Sequence, residues 1–113
     1  MVLGQLQRAL YDIDGSALAR TVVVYEPVWA VGTGRTAEPQ ATELVHGSIR
    51  SALGDRLGRR AAQAVRIVYG GRVTPANVVA FLLQPEIDGL LVGAASLDPD
   101  SFIQVVKAAA LRT

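Results

Sequence analysis

The chain has 113 residues, half of them hydrophobic, and carries a formal net charge of +1 at pH 7. This length predicts a single small domain with a real core, and this charge gives no electrostatic reason to expect binding to nucleic acid or to a membrane. The absence of cysteine excludes disulfides, thiol catalysis and cysteine metal sites. The N-terminus does not resemble a signal peptide and no apolar run reaches the length of a membrane span, so we expect a cytoplasmic protein.

The first third of the chain predicts a helix, a strand and a loop. Apolar residues recur at helical spacing from Val2 to Leu10, which predicts a helix over 2–12, ended by the polar stretch 12–16. The run 21–25 is β-branched and apolar without alternation, which is typical of a parallel strand covered on both faces. A glycine-containing apolar loop follows this strand.

A second helix is predicted to begin at Glu38-Pro39-Gln40, since proline is favoured in the first helical turn. Gly54 and Gly58 are expected to end it, and 55–64 to form a short helical connection. His46 is predicted to be solvated on this helix. The predicted buried face consists of Ala41, Leu44, Val45, Ser48, Ile49 and Ala52.

The remaining chain predicts two more strands, at 66–69 and 90–92, each followed by a helix. Thr74 and Pro75 have the residue types of a helix N-cap and first helical position. The predicted buried faces are Ala76, Val79, Ala80 and Leu83 on one helix, and Phe102, Val105, Val106, Ala109 and Ala110 on the last. The element order αβαβαβα, with three strands and four main helices, predicts an α/β fold with a parallel sheet.

Chemistry-bearing residues follow the predicted strands. Glu26 comes directly after the first strand, Gly70 and Gly71 end the second, and Gly93 follows the third. In α/β folds the carboxyl ends of parallel strands meet where active sites lie. Taken alone, Glu26 could be a surface carboxylate, and the glycines could be ordinary turn residues. Together they predict a carboxylate beside backbone N–H groups that bind a phosphate.

Two further features of the sequence indicate an enzyme. Residues 94–97 are placed to form the short extra helix that barrel enzymes often add to a phosphate site. The loop after Glu26 begins with a proline and ends with glycines, which suits a lid that moves as a unit and excludes water. The residues therefore predict a proton-transfer enzyme for a small phosphorylated substrate.

Three segments, YEPVWAVGTGRTA, VYGGRVTPANV and DGLLVGAASLDPDSF, resemble motifs of the triosephosphate isomerase family, in the same order and at similar separations. The resemblance extends over almost the whole chain. It implies part of a (β/α)8 barrel, namely its last three strands, with residues 1–113 forming a single incomplete domain. It also implies interconversion of dihydroxyacetone phosphate and glyceraldehyde 3-phosphate, without a cofactor or a metal ion.

The resemblance implies a role for each matching residue. Glu26 would be the base that moves a proton between the two carbons next to the substrate carbonyl. The remaining roles are the lid's first hinge (Pro27, Val28, Trp29), its second hinge (Arg35, Thr36, Ala37), a latch for the closed lid (Tyr69), and N–H groups for the substrate phosphate (Gly32, Arg72, Gly93, Ala94). Arg72 replaces a serine usual in the family, and Ala94 a common glycine. The Arg72 side chain could strengthen phosphate binding by its charge or crowd the latch.

Other parts of the family's site have no counterpart here. A closed barrel of this kind has eight strands in about 250 residues, and this chain offers three strands. Its single lysine, Lys107, and single histidine, His46, match neither the catalytic lysine nor the electrophilic histidine of the family. The family is homodimeric, but its dimer-forming loop has no match. We therefore expect negligible isomerase activity from this chain alone, and either self-association or an N-terminal partner chain.

Two other functions are compatible with the residues. The chain could be an inactive partial barrel that binds phosphorylated small molecules or an assembly partner. It could also belong to another phosphosugar barrel enzyme, which the specific lid sequence disfavours.

Overall fold

A computed structural model describes residues 1–27 and 37–112. In the described part, the three predicted strands and four main helices are all present, and three short helices join them. The elements are α1 (Val2–Ala9), α2 (Gly15–Leu18), β1 (Val22–Tyr25), α3 (Pro39–Leu57), α4 (Arg59–Ala64), β2 (Arg66–Gly71), α5 (Val78–Leu82), β3 (Gly89–Val92), a 3-10 helix (Ala94–Leu97) and α6 (Pro99–Ala110).

The three strands form one parallel sheet in the order β1-β2-β3. Tyr25 at the end of β1 is in register with Tyr69, and Gly71 at the end of β2 is in register with Val92. The carboxyl ends of all three strands therefore lie along one edge. This parallel α/β arrangement confirms the predicted fold class, part of a (β/α)8 barrel.

The described helices cover only one face of this sheet. The side chains of Ile67 and Tyr69 on that face are fully buried, whereas Val22, Val24 and Leu91 on the other face are 51%, 40% and 50% exposed. The prediction that the first strand is covered on both faces is therefore wrong for the described residues, because no second layer packs on the open face. Apolar side chains are therefore exposed on the open face of the outer strands β1 and β3.

Two apolar clusters form the core beneath the covered face. The first packs α5 and α6 on β2, and the second packs α3 and α4 on the same strand. Tyr25 contacts both clusters. Their buried members are Ala37, Tyr69, Val73, Val78, Phe81, Leu82, Ile87 and Val105 in the first, and Leu10, Leu18, Ile49, Leu53, Ala62, Val65 and Ile67 in the second.

Helix α3 is longer than predicted, and the face that it buries includes only Ile49 of the predicted buried residues. It continues through Gly54 and ends at Leu57, where Gly58 adopts the positive φ of 92° that favours glycine. Leu44, predicted to be buried, is 74% exposed. Three of the side chains that pack inward are polar, so the spacing of apolar residues does not predict their burial. The inward residues are Thr42, His46, Ile49, Arg50 and Leu53.

The other helices differ from prediction in smaller ways. Helix α1 ends at Ala9, and α2 forms within the region expected to be irregular, because the Asp14 carboxylate accepts a hydrogen bond from the Ala17 amide at 2.8 Å. The predicted face of α5 is wrong: Ala76, Val79, Ala80 and Leu83 are all exposed, and Val78, Phe81 and Leu82 are buried instead. The predicted face of α6 is only partly correct, since Val105 is buried but Phe102, Val106, Ala109 and Ala110 are exposed.

A buried arginine joins the amino-terminal ends of β2 and β3. Arg50 is only 7% exposed, and its guanidinium donates to the carbonyl oxygens of Ala62 and Val65 at 2.7 and 2.8 Å. It also forms ion pairs with Glu86 and Asp88. Burial alone would lower the pKa of Arg50, but the bonds to these carboxylates outweigh it and hold the pKa above its usual value.

Asp88 and Glu86 also form hydrogen bonds with β2 and α3, respectively. One Asp88 carboxylate oxygen accepts from the Ile67 amide at 2.9 Å, and the Glu86 amide donates to the Glu43 carboxylate at 2.9 Å. Arg50 therefore ties α3, the start of β2 and the turn before β3 together. No helix of the described residues is long and apolar enough to cross a membrane.

Replacing Arg50 by methionine should lower the free energy of unfolding by about 3 kcal/mol, because two carboxylates and two carbonyl oxygens lose their donor. Urea unfolding followed by circular dichroism measures this change. Arg59→Met, at the exposed start of α4, is the matched control and should change the free energy by less than about 0.5 kcal/mol. Equal effects of the two substitutions would contradict the role of Arg50.

Candidate active-site cleft

An open cleft of about 800 Å³ lies at the edge formed by the carboxyl ends of the strands. It brings together Glu26, Arg72, Gly93 and Ala94, four of the residues proposed from sequence to act on the substrate. Residues from three different strand ends thus share one cavity. The rest of its lining is Gly70, Gly71, Val73, Thr74, Pro75, Leu91, Val92, Ala95, Asp98 and Ser101.

Glu26 projects from the open face of the sheet, directly over Gly70. A Cβ atom added at Gly70 would lie 2.9 Å from Glu26 Cγ and 3.3 Å from Glu26 Oε1. At this separation the Glu26 side chain would have to shift to admit a Cβ atom at position 70. Glycine at position 70 therefore allows the carboxylate to lie against the strand and into the cleft.

The turn after β2 is held by a reciprocal pair of hydrogen bonds. The Thr74 amide donates to Asn77 Oδ1 at 2.8 Å, and the Asn77 amide donates to Thr74 Oγ1 at 3.3 Å. Asn77 Nδ2 also donates to the Arg72 carbonyl oxygen at 2.9 Å. Thr74 thus makes the capping bond expected of it, although the α-helix begins only at Val78. These three bonds fix the backbone around Arg72.

The turn after β3 is the predicted short helix. Residues 94–97 form a 3-10 helix, in which the Ser96 amide and hydroxyl both donate to the Gly93 carbonyl oxygen, at 2.9 and 2.6 Å. At its end, Asp98 begins α6 and accepts a hydrogen bond from the Ser101 hydroxyl at 2.8 Å. Gly93 and Ala94 are exposed to the cleft at the start of this turn.

Tyr69 lies beneath the cleft, on the covered face of the sheet. Its side chain is fully buried, stacks on Phe81 with ring centroids 4.3 Å apart, and lies across Gly71. Burial raises the pKa of the Tyr69 hydroxyl, while the backbone amides of Ala37 and Arg72 act in the opposite direction. The buried hydroxyl has no hydrogen-bond partner among the described residues, although it lies near the end of the predicted lid and the turn after β2.

Most of the predicted lid lies outside the described residues. Val28, Trp29, Gly32, Arg35 and Thr36 fall in the undescribed range 28–36. The described residues at its two ends are both buried: Pro27 at the beginning and Ala37, with 3% of its surface exposed, at the end.

His46 is fully buried, so the prediction that it is solvated is wrong. Its ring packs edge-on against Tyr25 with centroids 5.8 Å apart, and its Nδ1 lies 3.2 Å from the Glu86 carbonyl oxygen. Because a carbonyl oxygen only accepts, Nδ1 carries the proton. Burial holds the pKa of His46 below its usual value. Tyr25 lies on the covered face, so His46 is across the sheet from Glu26.

Sequence reasoning missed Arg50 and Asn77, and only the second left a local signal. Thr74 and Asn77 are three residues apart, the spacing of a capping box, with asparagine in place of the usual glutamate or glutamine. Arg50 has partners 12 to 38 residues away, so no local pattern predicts its burial.

A parallel sheet with a carboxylate and two glycine-bearing turns at one cleft defines this chain as part of a (β/α)8-barrel protein. The sequence model of the triosephosphate isomerase family matches residues 1–109. The chain belongs to the triosephosphate isomerase family, a family of glycolytic isomerases, as the sequence motifs predicted.

Curated relatives called triosephosphate isomerase support this assignment. The chain is 50% identical over 103 residues to the relative from Syntrophotalea carbinolica, covering 91% of this chain and 41% of the relative. It is 46% identical over 107 residues to the relative from Solibacter usitatus, covering 95% and 43%. It is also 46% identical over 106 residues to that from Roseiflexus sp., covering 94% and 42%. The chain therefore spans about two fifths of the length of these relatives.

Gly70→Ala should lower the free energy of unfolding by about 1–3 kcal/mol, because the added methyl group overlaps the Glu26 side chain. Thermal and urea unfolding measure the change. Gly47→Ala is the matched control: its Cβ would lie an ordinary 3.9 Å from Glu86 Cγ inside α3, where alanine should stabilise by up to about 1 kcal/mol. A neutral Gly70→Ala variant would refute the close contact with Glu26.

The stability of the chain should depend on the titration of His46. Because folding lowers the pKa of His46, the unfolded chain binds a proton at His46 more readily than the folded chain does. The contribution of His46 to stability is therefore complete above about pH 6.5 and is lost as the pH falls through the pKa of the folded state. Urea unfolding at several pH values from about 7.5 to about 5 should show a larger loss for the wild type than for His46→Gln. Parallel pH profiles of the two proteins would contradict this prediction.

Proposed function

We propose that this chain supplies the base and the phosphate-binding edge of a triosephosphate isomerase active site, which interconverts dihydroxyacetone phosphate and glyceraldehyde 3-phosphate. One observation carries the proposal: the Glu26 carboxylate shares a single cleft with the turns at Arg72 and at Gly93. A carboxylate and two backbone turns at one edge can act together on a small substrate that carries a phosphate at one end.

Glu26 is the proposed general base. It removes a proton from the carbon next to the substrate carbonyl and returns it to the neighbouring carbon, which interchanges the ketone and aldehyde isomers. Its position over Gly70, projecting into the cleft, supports this role because the carboxylate oxygens have room on the substrate side. No metal ion or cofactor is required for a proton transfer of this kind.

The proposed phosphate contacts are backbone N–H groups of Arg72, Gly93 and Ala94, joined by that of Gly32 when the lid closes. N–H groups in tight turns bind phosphate oxygens well because their donors converge on one anion. The bonds from Asn77 and Ser96 that hold the two turns support this, since fixed donors need no reorganisation when the substrate binds.

The loop from Pro27 to Ala37 is the proposed lid over this cleft. Its first hinge consists of Pro27, Val28 and Trp29, and its second of Arg35, Thr36 and Ala37. Tyr69 is the proposed latch, supported by its packing in one apolar cluster with Ala37 and by its buried hydroxyl, which has no hydrogen-bond partner among the described residues. A closed lid would exclude water from the reaction.

The reaction also needs a group that polarises the substrate carbonyl, and the described residues that line the cleft include no lysine or histidine for this role. Lys107 is exposed on α6, and His46 is buried across the sheet from Glu26. We therefore propose that residues 1–113 are one incomplete domain, and that the catalytic lysine and histidine come from further strands of the barrel outside residues 1–113.

A second candidate is an inactive partial barrel that binds a phosphorylated small molecule or an assembly partner. The exposed apolar side chains of Val22, Val24 and Leu91 on the open sheet face favour it, because such a surface is stabilised by contact with another chain.

Isomerase assays on the purified chain, alone and combined with the unmatched part of the Syntrophotalea carbinolica relative, separate the two candidates. We expect negligible turnover by the chain alone and measurable turnover by the combined polypeptides, with complex formation followed by size-exclusion chromatography. Turnover by the chain alone would refute the incomplete site. A complex without turnover, or no complex, would favour the second candidate.

In the combined enzyme, Glu26→Gln should lower kcat by about 10³-fold or more, because an amide cannot accept the proton. Steady-state kinetics measures this loss. Glu38→Gln, an exposed glutamate at the start of α3, makes the same charge change and should leave kcat within about twofold. Similar kcat values for the two variants would exclude Glu26 as the base.

A further inference from the structure

We propose that the Arg72 side chain contacts the substrate phosphate directly, adding a full positive charge to the backbone N–H groups of the cleft. The ligand class is a phosphate monoester in its dianionic form. This inference rests on the proposed function, and deepens it by assigning a role to the guanidinium in addition to the backbone amide.

The charges around the cleft support this role. Among the described residues that line it, Arg72 is the single basic side chain, and the acidic ones are Glu26 and Asp98. Asp98 lies at the start of α6, where it accepts a hydrogen bond from Ser101. A doubly negative ligand beside Glu26 would be repelled unless a cation offset that charge, and Arg72 is the group placed to do so.

The Arg72 guanidinium is exposed and available for a ligand. Both ion pairs found in the described part of the chain are made by Arg50, so no described carboxylate lies within 4.0 Å of the Arg72 guanidinium. Its backbone, in contrast, is fixed by the bond from Asn77 Nδ2 to its carbonyl oxygen. A fixed backbone with an unpaired, planar guanidinium suits bidentate binding of phosphate oxygens.

The same geometry argues against a steric effect on the latch. The Tyr69 hydroxyl is buried on the covered side of the sheet, while Arg72 is exposed and lines the cleft. The guanidinium and the Tyr69 hydroxyl therefore have separate surroundings, so the charge of Arg72 can act on the ligand without crowding the latch.

Isothermal titration of the chain with inorganic phosphate and with glycerol 3-phosphate tests the inference. Arg72→Gln should weaken binding of both by about fivefold at low salt, with Arg72→Lys in between because it keeps the charge but loses the planar fork. Raising sodium chloride from about 20 mM to about 300 mM should weaken wild-type binding more than that of Arg72→Gln. Arg66→Gln, at the opposite end of β2, is the matched control and should bind like the wild type.

The outcomes separate this inference from the proposed function. If the wild type and Arg72→Gln bind phosphate equally and with the same salt dependence, the side-chain contact is wrong and the backbone site stands. If Arg66→Gln weakens binding as much as Arg72→Gln, net charge explains the effect and the inference is again wrong. If the wild type binds neither probe at millimolar concentration, the phosphate site itself is refuted, and the inference with it.

Discussion

The buried Arg50 guanidinium is the interaction on which the arrangement of this sheet most depends. It binds carbonyl oxygens just before β2 and carboxylates just before β3, so it holds the amino-terminal ends of these two strands and α3 in one position. The strands run in parallel from there, and their register brings the Gly70-Gly71 end of β2 beside the Val92-Gly93 end of β3. A charge cluster at one end of the sheet thus positions the cleft at the other, in keeping with a division between a stabilising and a functional face in barrel folds.

The same sheet explains why the proposed activity requires further strands. Its covered face carries two apolar clusters and is complete, while the open face presents exposed valine and leucine side chains beside the Glu26 carboxylate. In a closed barrel this face would form the interior and would receive side chains from the other strands. The exposed apolar side chains and the proposed catalytic carboxylate of Glu26 are therefore on the same face of the sheet.

Much of this fold could be predicted from sequence, because the positions of strands and glycine-containing turns depend mainly on residues that are close together in the chain. Glu26, Gly70 and Gly93 were placed at one edge since the carboxyl ends of parallel strands always meet there. The buried face of α3 was predicted wrongly because His46 and Arg50 are polar, and their burial depends on partners up to 40 residues away. The spacing of apolar residues predicted that Leu44 is buried, but it is exposed. This spacing alone does not show which of two neighbouring faces of α3 packs against the sheet.

The central claim is that the cleft at the carboxyl ends of the strands binds the phosphate of a triose. Backbone amide chemical shifts, recorded by NMR during titration with glycerol 3-phosphate, test it most directly because they locate the ligand residue by residue. We expect saturable shifts at Arg72, Gly93 and Ala94, with little change at Gly47 and Arg59 in the separate cleft beside α4. Shifts confined to that second cleft, or no saturable shift at all, would contradict it.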